Sequence, residues 1–261
     1  MLKSKYLLFG FAISSIGIFI DFIKNLFLYL NGIDVDLPLF EKWIGLAQEN
    51  IGSLLFYWLL PLSISIPYAW TMRDEMNNGY TAQILSRVKK TTYFLTKFLI
   101  SFLSGAVIAV VTLLGSFWVH SFFLKAIYPR PNDMRAAIDP NMFLSKLYYA
   151  NPYLHIFIWI LVASLWCGVI AGLCYSLNFF IRKKTVIIIS VQILFIIQDI
   201  VVSSDAFRYR YHDSLPWLKS WFDLVYITGS TYSPAIFINM AILLAIELII
   251  IAVMGKRYEN V

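Results

Sequence analysis

Apolar residues gather into six long runs, near 7–30, 51–70, 94–124, 153–181, 185–203 and 234–254, with short polar stretches between them. A helix of about 20 residues crosses the hydrocarbon core of a bilayer, so each run is long enough to be a span. The pattern predicts an all-α polytopic membrane protein, six transmembrane helices forming one transmembrane domain over residues 1–261. The first run follows Lys3 and Lys5, as the core of a signal peptide would. It exceeds the usual apolar region of about 7–15 residues and no small-residue cleavage site follows it, so it reads as a retained span. The third run is over-long, which predicts a tilted helix or one whose start lies along the interface.

The polar stretches alternate in charge. One set carries Lys3, Lys5, Arg73, Arg87, Lys89, Lys90, Arg182, Lys183, Lys184, Lys256 and Arg257 against only Asp74, Glu75 and Glu259. The other set, 31–50, 125–152 and 204–232, is close to balanced. Positive charge is retained on the cytoplasmic side, so both termini are expected there. Composition agrees: 60% of the chain is apolar and 14% charged, with a mean hydropathy of +0.73. A soluble domain carries roughly one quarter charged residues, so a water-soluble or disordered chain is excluded. The net charge of +6 is then largely an orientation signal. No basic module interleaved with aromatics suggests a nucleic-acid partner.

Catalytic and metal-binding motifs are missing. The chain has no GxxxxGK[ST] phosphate loop, no HExxH, no CxxC and no GxSxG, so no catalytic residue and no metal site are expected. His120, His155 and His212 are far apart in sequence and read as interfacial or loop histidines. Cys167 and Cys174 lie about 10 Å apart along a helix, too far for a bridge, and read as small apolar packing residues. Four ionisable groups fall inside expected spans: Asp21, Lys24, Asp199 and Glu247. Charge at membrane depth is costly, which makes each a functional candidate. Asp21 and Lys24 are spaced to face each other on one helix. Asp199 lies near the outer end of its span, where water is close. Glu247 is the deepest, and it can pair with a polar partner, line a cavity or stay protonated. Small residues recur at every fourth position: Ser164, Gly168, Gly172 and Ser176 in the fourth run, Ser101, Gly105 and Ala109 in the third. Such stripes let helices approach closely, within one subunit or between two.

The most distinctive stretch is Arg73 to Lys97, between the second and third runs. Asn77-Asn78-Gly79 is a turn signal. Thr81 is placed to cap a short helix after it. Tyr80, Ile84 and Val88 form an apolar stripe, with Gln83, Arg87 and Lys90 off it. A short amphipathic helix beside a membrane can lie on lipid headgroups or insert into a groove of a soluble partner.

With these residues in place, the chain resembles the membrane subunit of an ATP-binding cassette transporter of the ABC-2 permease type. Those permeases carry, between spans two and three, an acidic residue, a Gly-Thr-like step, leucines, a Ser-Arg-like turn and a lysine opening span three. Here Glu75, Gly79 and Thr81 (with Tyr80 inserted), Ile84 and Leu85, Ser86 and Arg87, and Lys97 match. The family's proline before the Ser-Arg turn is absent. Gly172 to Ile189 resembles the tight turn between spans four and five. Leu215 to Pro234, with Trp217, Leu218, Trp221 and Phe222, resembles the outer interfacial segment before the last span, 204–232 here.

The resemblance implies a permease in the bacterial plasma membrane with no enzymatic residues of its own. A separate ABC ATPase subunit would hold ATP and Mg, and a second permease chain would complete a homodimer or heterodimer. Segment 73–90 would be the coupling helix, with Tyr80, Ile84 and Leu85 as apolar docking residues and Glu75 and Arg87 as charged partners at its edges. The implied cargo is amphipathic or hydrophobic and exported, such as an antimicrobial or other amphipathic peptide, with lipid-linked molecules and drugs as alternatives. The competing reading is an ion-gradient carrier using Asp21, Asp199 and Glu247.

Overall fold

The computed structural model describes residues 5–32, 38–43, 45, 51–131, 138, 140, 144–203 and 233–257. The expected outer interfacial segment 204–232 and His212 lie outside them. Among the described residues the fold is helical, with one isolated parallel bridge between Pro38 and Lys125. The helices are α1 (Lys5–Leu30), α2 (Leu39–Lys42), α3 (Ile51–Ser65), α4 (Thr71–Asn77), α5 (Tyr80–Leu85), α6 (Lys90–Ser121), α7 (Ser145–Ala150), α8 (Pro152–Ser176), α9 (Lys184–Ser203) and α10 (Ser233–Arg257). A 3-10 turn, Leu177–Phe179, extends α8.

Among the described residues, five helices are long and apolar enough to cross a membrane: α1, α6, α8 with its 3-10 turn, α9 and α10. By length and composition this is the build of a multi-pass membrane protein. The second expected span, 51–70, is shorter than the apolar run that predicted it. Regular helix stops at Ser65, giving 15 residues from Ile51. Pro61 lacks an N–H to donate inside the helix, and Ser65 bonds back to its carbonyl at 2.7 Å. Pro67 then disfavours helical geometry at Ile66. Elsewhere helix ends fall close to the apolar boundaries. α8 starts where an Asn-Pro pair dictates, with Pro152 in its first turn and Asn151 Oδ1 accepting from the Leu154 amide at 3.2 Å.

α8 is the hub: 72% of its most apolar window is buried, against 22–44% for the other four long helices. It packs on α3, α6, α9 and α10, while α1 packs on α3 and α6. The small-residue stripes form these contacts within the chain. A Cβ at Gly105 would sit 2.7 Å from the Cys167 carbonyl oxygen, and Ser101 Oγ donates to the Ala171 carbonyl at 3.0 Å. Gly168 receives the Phe102 ring. Ser164 and Ser176 are buried and bond back within α8. On α1, Gly10 meets the Ser63 carbonyl, and Gly17 lies against Gly52 and Phe56 of α3. Close backbone approach of this kind holds helices together where lipid removes the usual hydrophobic drive.

The outward faces of α1, α6, α9 and α10 carry exposed Leu, Ile, Val and Phe, as a lipid-facing surface requires. At the end of the bundle away from α4 and α5, aromatic side chains close over the helices. Trp43 Nε1 donates to Ser116 Oγ at 2.9 Å, Tyr148 Oη donates to the Phe40 carbonyl at 3.2 Å, and Phe40 stacks edge-on with Tyr153 at 4.9 Å. Both cysteines are free and buried, and Cys174 Sγ lies 3.0 Å from the Ile187 carbonyl.

Candidate functional site

The basic end of the bundle is built around α4 and α5. The Asn77-Asn78-Gly79 turn joins them, and Gly79 adopts φ +72°. A Cβ there would meet nothing within 4 Å, so the backbone angle, not space, selects glycine. Gly79, rather than Thr81, is the residue that precedes α5. Thr81 is buried inside the helix instead of capping it, because the left-handed glycine already reverses the chain.

Three anchors tie this pair of helices down. Glu75 accepts the hydroxyl of Tyr93 at 2.5 Å and an ion pair from Lys97, both on the first turns of α6. Arg73 Nε donates to the Arg182 carbonyl at 3.0 Å, and Lys184 lies 4.0 Å from Asp74 and 5.4 Å from the centre of the Trp70 ring. Below them, Asn178 Nδ2 donates to the carbonyls of Ala69 and Tyr175 at 2.5 and 2.6 Å. The segment is therefore joined to α6 and to the α8–α9 turn.

This geometry divides the expected docking residues. Ile84 and Leu85 are half-buried and pack on a cluster of Met72, Tyr93, Phe94, Phe98, Tyr175 and Ile251. Glu75 is an internal anchor rather than a free charged partner, since Lys97 and Tyr93 occupy its carboxylate. The outward set is Tyr80, Gln83, Ser86, Arg87 and Val88, with Tyr80 51% and Val88 43% exposed. Together with the outer edge of Ile84 they surround a hollow of about 380 Å³. An aromatic ring, an aliphatic edge and a guanidinium around a small concavity suit a complementary protein surface.

The intramembrane candidates separate into different environments. Asp21 is fully buried, and its Oδ2 lies 3.1 Å from His120 Nε2 and accepts from Asn25 Nδ2 at 3.3 Å. His120 Nδ1 donates to the Ser116 carbonyl at 2.7 Å. Both ring nitrogens of His120 therefore face oxygen atoms. Lys24 is exposed, while Asp21 is paired with His120. His120, in the last turn of α6, and His155, in the first turn of α8, are both buried. Asp199 is exposed near the end of α9. Glu247 is fully buried, and neither carboxyl oxygen has a hydrogen-bond partner. No group of three His, Cys, Asp or Glu suited to a metal occurs among the described residues.

The Asp21–His120 pair escaped sequence reasoning because 99 residues separate its members. A signal was present nonetheless: Gly10, Ser14, Gly17 and Asp21 mark one face of α1 at helical spacing, and all four are buried.

Among known proteins, the chain is similar to YybM of Bacillus subtilis (strain 168), described as an uncharacterized protein, at 26% identity over 144 residues. The match spans 54% of this chain and 55% of that protein. No family profile matches the chain, and no solved structure matches it.

Proposed function

We propose that the chain is the membrane-spanning permease subunit of an ATP-driven exporter of the ABC-2 type, working with a separate ABC ATPase subunit and a second permease chain. The observation that carries the reading is the firmly anchored α4–α5 pair, which turns Tyr80, Arg87 and Val88 outward around a hollow while Glu75 is held by Lys97 and Tyr93. A coupling element must transmit force without melting, and a segment joined to two helices of the bundle meets that need. The basic residues at this end agree with a cytoplasmic placement of both termini in the bacterial plasma membrane. On this reading α3 is the second of six spans, with the chain through 66–70 completing the passage. The cargo is an amphipathic or hydrophobic molecule such as an antimicrobial or other amphipathic peptide; lipid-linked molecules and drugs are the alternatives.

Co-purification of an ABC ATPase with the chain from its native cells tests the reading directly. Tyr80→Asp together with Arg87→Glu should abolish that association while the permease still reaches the membrane. Normal association and normal transport by the double variant would refute it. The buried Asp21–His120 pair favours a second reading, an ion-gradient carrier. Transport driven by a proton or sodium gradient in vesicles lacking any nucleotide would select that reading.

A further inference from the structure

Glu247 sits 0% exposed on α10 with both carboxyl oxygens unpartnered. Its Oε2 lies over Gly172 of α8, where a Cβ would come within 2.7 Å of it. The Phe98 ring of α6 touches the same glycine, at 2.6 Å from that Cβ position. Gly172 thus leaves room on α8 for the Phe98 ring of α6 and the carboxyl group of Glu247 on α10. Beside this trio lies a hollow of about 400 Å³ between α6, α8 and α10, walled by apolar side chains. Phe98 lines both the hollow and the carboxyl's surroundings. Leu95, Leu99, Leu165 and Leu248 are exposed at its rim, so the hollow opens on the apolar outside of the bundle, not into its interior.

A lipid chain could fill such a hollow, yet it would leave the carboxyl as it is. A buried carboxyl without donors is disfavoured, and a group that brings both positive charge and N–H donors relieves it. The aromatic face of Phe98 also attracts a cation. We infer that this hollow, with Glu247 buried behind its Phe98 wall, is a binding site for a lipophilic amine: an alkyl or aryl body in the hollow and an ammonium group reaching Glu247 past a rotated Phe98 ring. The site stands without an ATPase; only its use as the cargo's way into an exporter rests on the proposed function.

The purified full chain in nanodiscs of zwitterionic lipid provides the test. The probe is a twelve-carbon primary amine with a diazirine at its far end, compared with the matched alcohol, each normalised to its partition into empty discs. Light should attach the amine to peptides carrying Leu95 to Phe102 and Met240 to Leu248, at least tenfold more than the alcohol. Glu247→Gln should bring the amine down to the level of the alcohol. Leu165→Trp, which fills the hollow and leaves Glu247 in place, should reduce both probes. Equal labelling by amine and alcohol in the unaltered chain would overturn the proposal, marking a lipid-filled cleft. So would undiminished amine labelling of Glu247→Gln. A disulfide between two chains at Leu248→Cys would also overturn it, by showing that a second copy covers the hollow. The amine-to-alcohol ratio needs no variant, so it decides the matter even if Glu247→Gln fails to fold. Loss of ATPase association with binding intact would sink the transporter reading alone.

Discussion

Replacing Glu75 by glutamine isolates the charge that holds α4 to α6. The amide keeps the shape of the side chain and can still accept from Tyr93, but Lys97 loses its counter-ion. A hydrogen bond to a charged group contributes about 1.5–3 kcal/mol. The two side chains remain 22% and 21% exposed, so solvent compensates part of the loss. A cost of about 1–2 kcal/mol follows, which raises the open population of the segment about 5- to 30-fold. Amide hydrogen exchange of peptides covering 71–89 reads this quantity, because local opening sets their protection. Protection there should fall by that factor while α8 is unchanged. Lys97→Met should produce a similar fall, and the double variant should fall by less than the two together, as expected of partners in one interaction. Exchange within twofold of the native chain would refute the anchoring role of Glu75.

Other perturbations address different contacts. Gly52→Val puts a Cβ 2.5 Å from that of Asp21 and 2.7 Å from the Gly17 carbonyl, so α1 and α3 must part at a cost of about 1–3 kcal/mol. Gly115→Ala, in open space, should be silent, and thermal unfolding followed by size exclusion separates the two outcomes. His120→Ala leaves Asp21 buried without its ring partner and should cost about 1–3 kcal/mol; Asp21→Ala added to it should cost much less than it does alone, measured by the same unfolding assay. Gly79→Ala forces a side chain into left-handed geometry at about 1–2 kcal/mol, and Gly79→Asn should recover most of that loss in exchange protection of α5.

Sequence reasoning worked where a feature is local. Charged residues such as Lys184 bound the apolar runs, and they also bound the helices, because one physical quantity sets both. The Asn77-Asn78-Gly79 turn was legible for the same reason: the required backbone angle is a property of one residue. Facing was not legible. A stripe of Tyr80, Ile84 and Val88 says that one side of a short helix is apolar, but not which part meets the body of the protein. The body took Ile84 and Leu85 because Tyr93 and Phe94 begin α6 directly below them. Glu75 and Lys97 were both visible as members of one motif, yet their pairing depends on α4 folding back over the first turns of α6. α3 fell short of its apolar run because hydropathy does not register the missing amide of Pro61 or the restriction before Pro67.

α6 links these observations. Its 32 residues rise about 48 Å, longer than the hydrocarbon core. Near its start, Tyr93 and Lys97 hold Glu75. Next to them in sequence, Phe94 and Phe98 pack with Tyr175 of α8, and Phe98 meets Gly172 beside Glu247. Near its far end, His120 holds Asp21 of α1. A displacement of α4 and α5 therefore acts first on the α6 turns that flank the Glu247 hollow, while the buried pair at the other end resists translation of the whole helix. The expected response is a tilt of α6 about its His120 end, which changes the α6–α10 separation at Phe98 more than the α1–α6 separation at Asp21. Paired spin labels at Leu99→Cys with Leu248→Cys, and at Ile23→Cys with Phe122→Cys, would measure the two separations when the proposed ATPase partner binds nucleotide. Equal changes at both pairs would mean that α6 moves as a piston and would rule out this pivot.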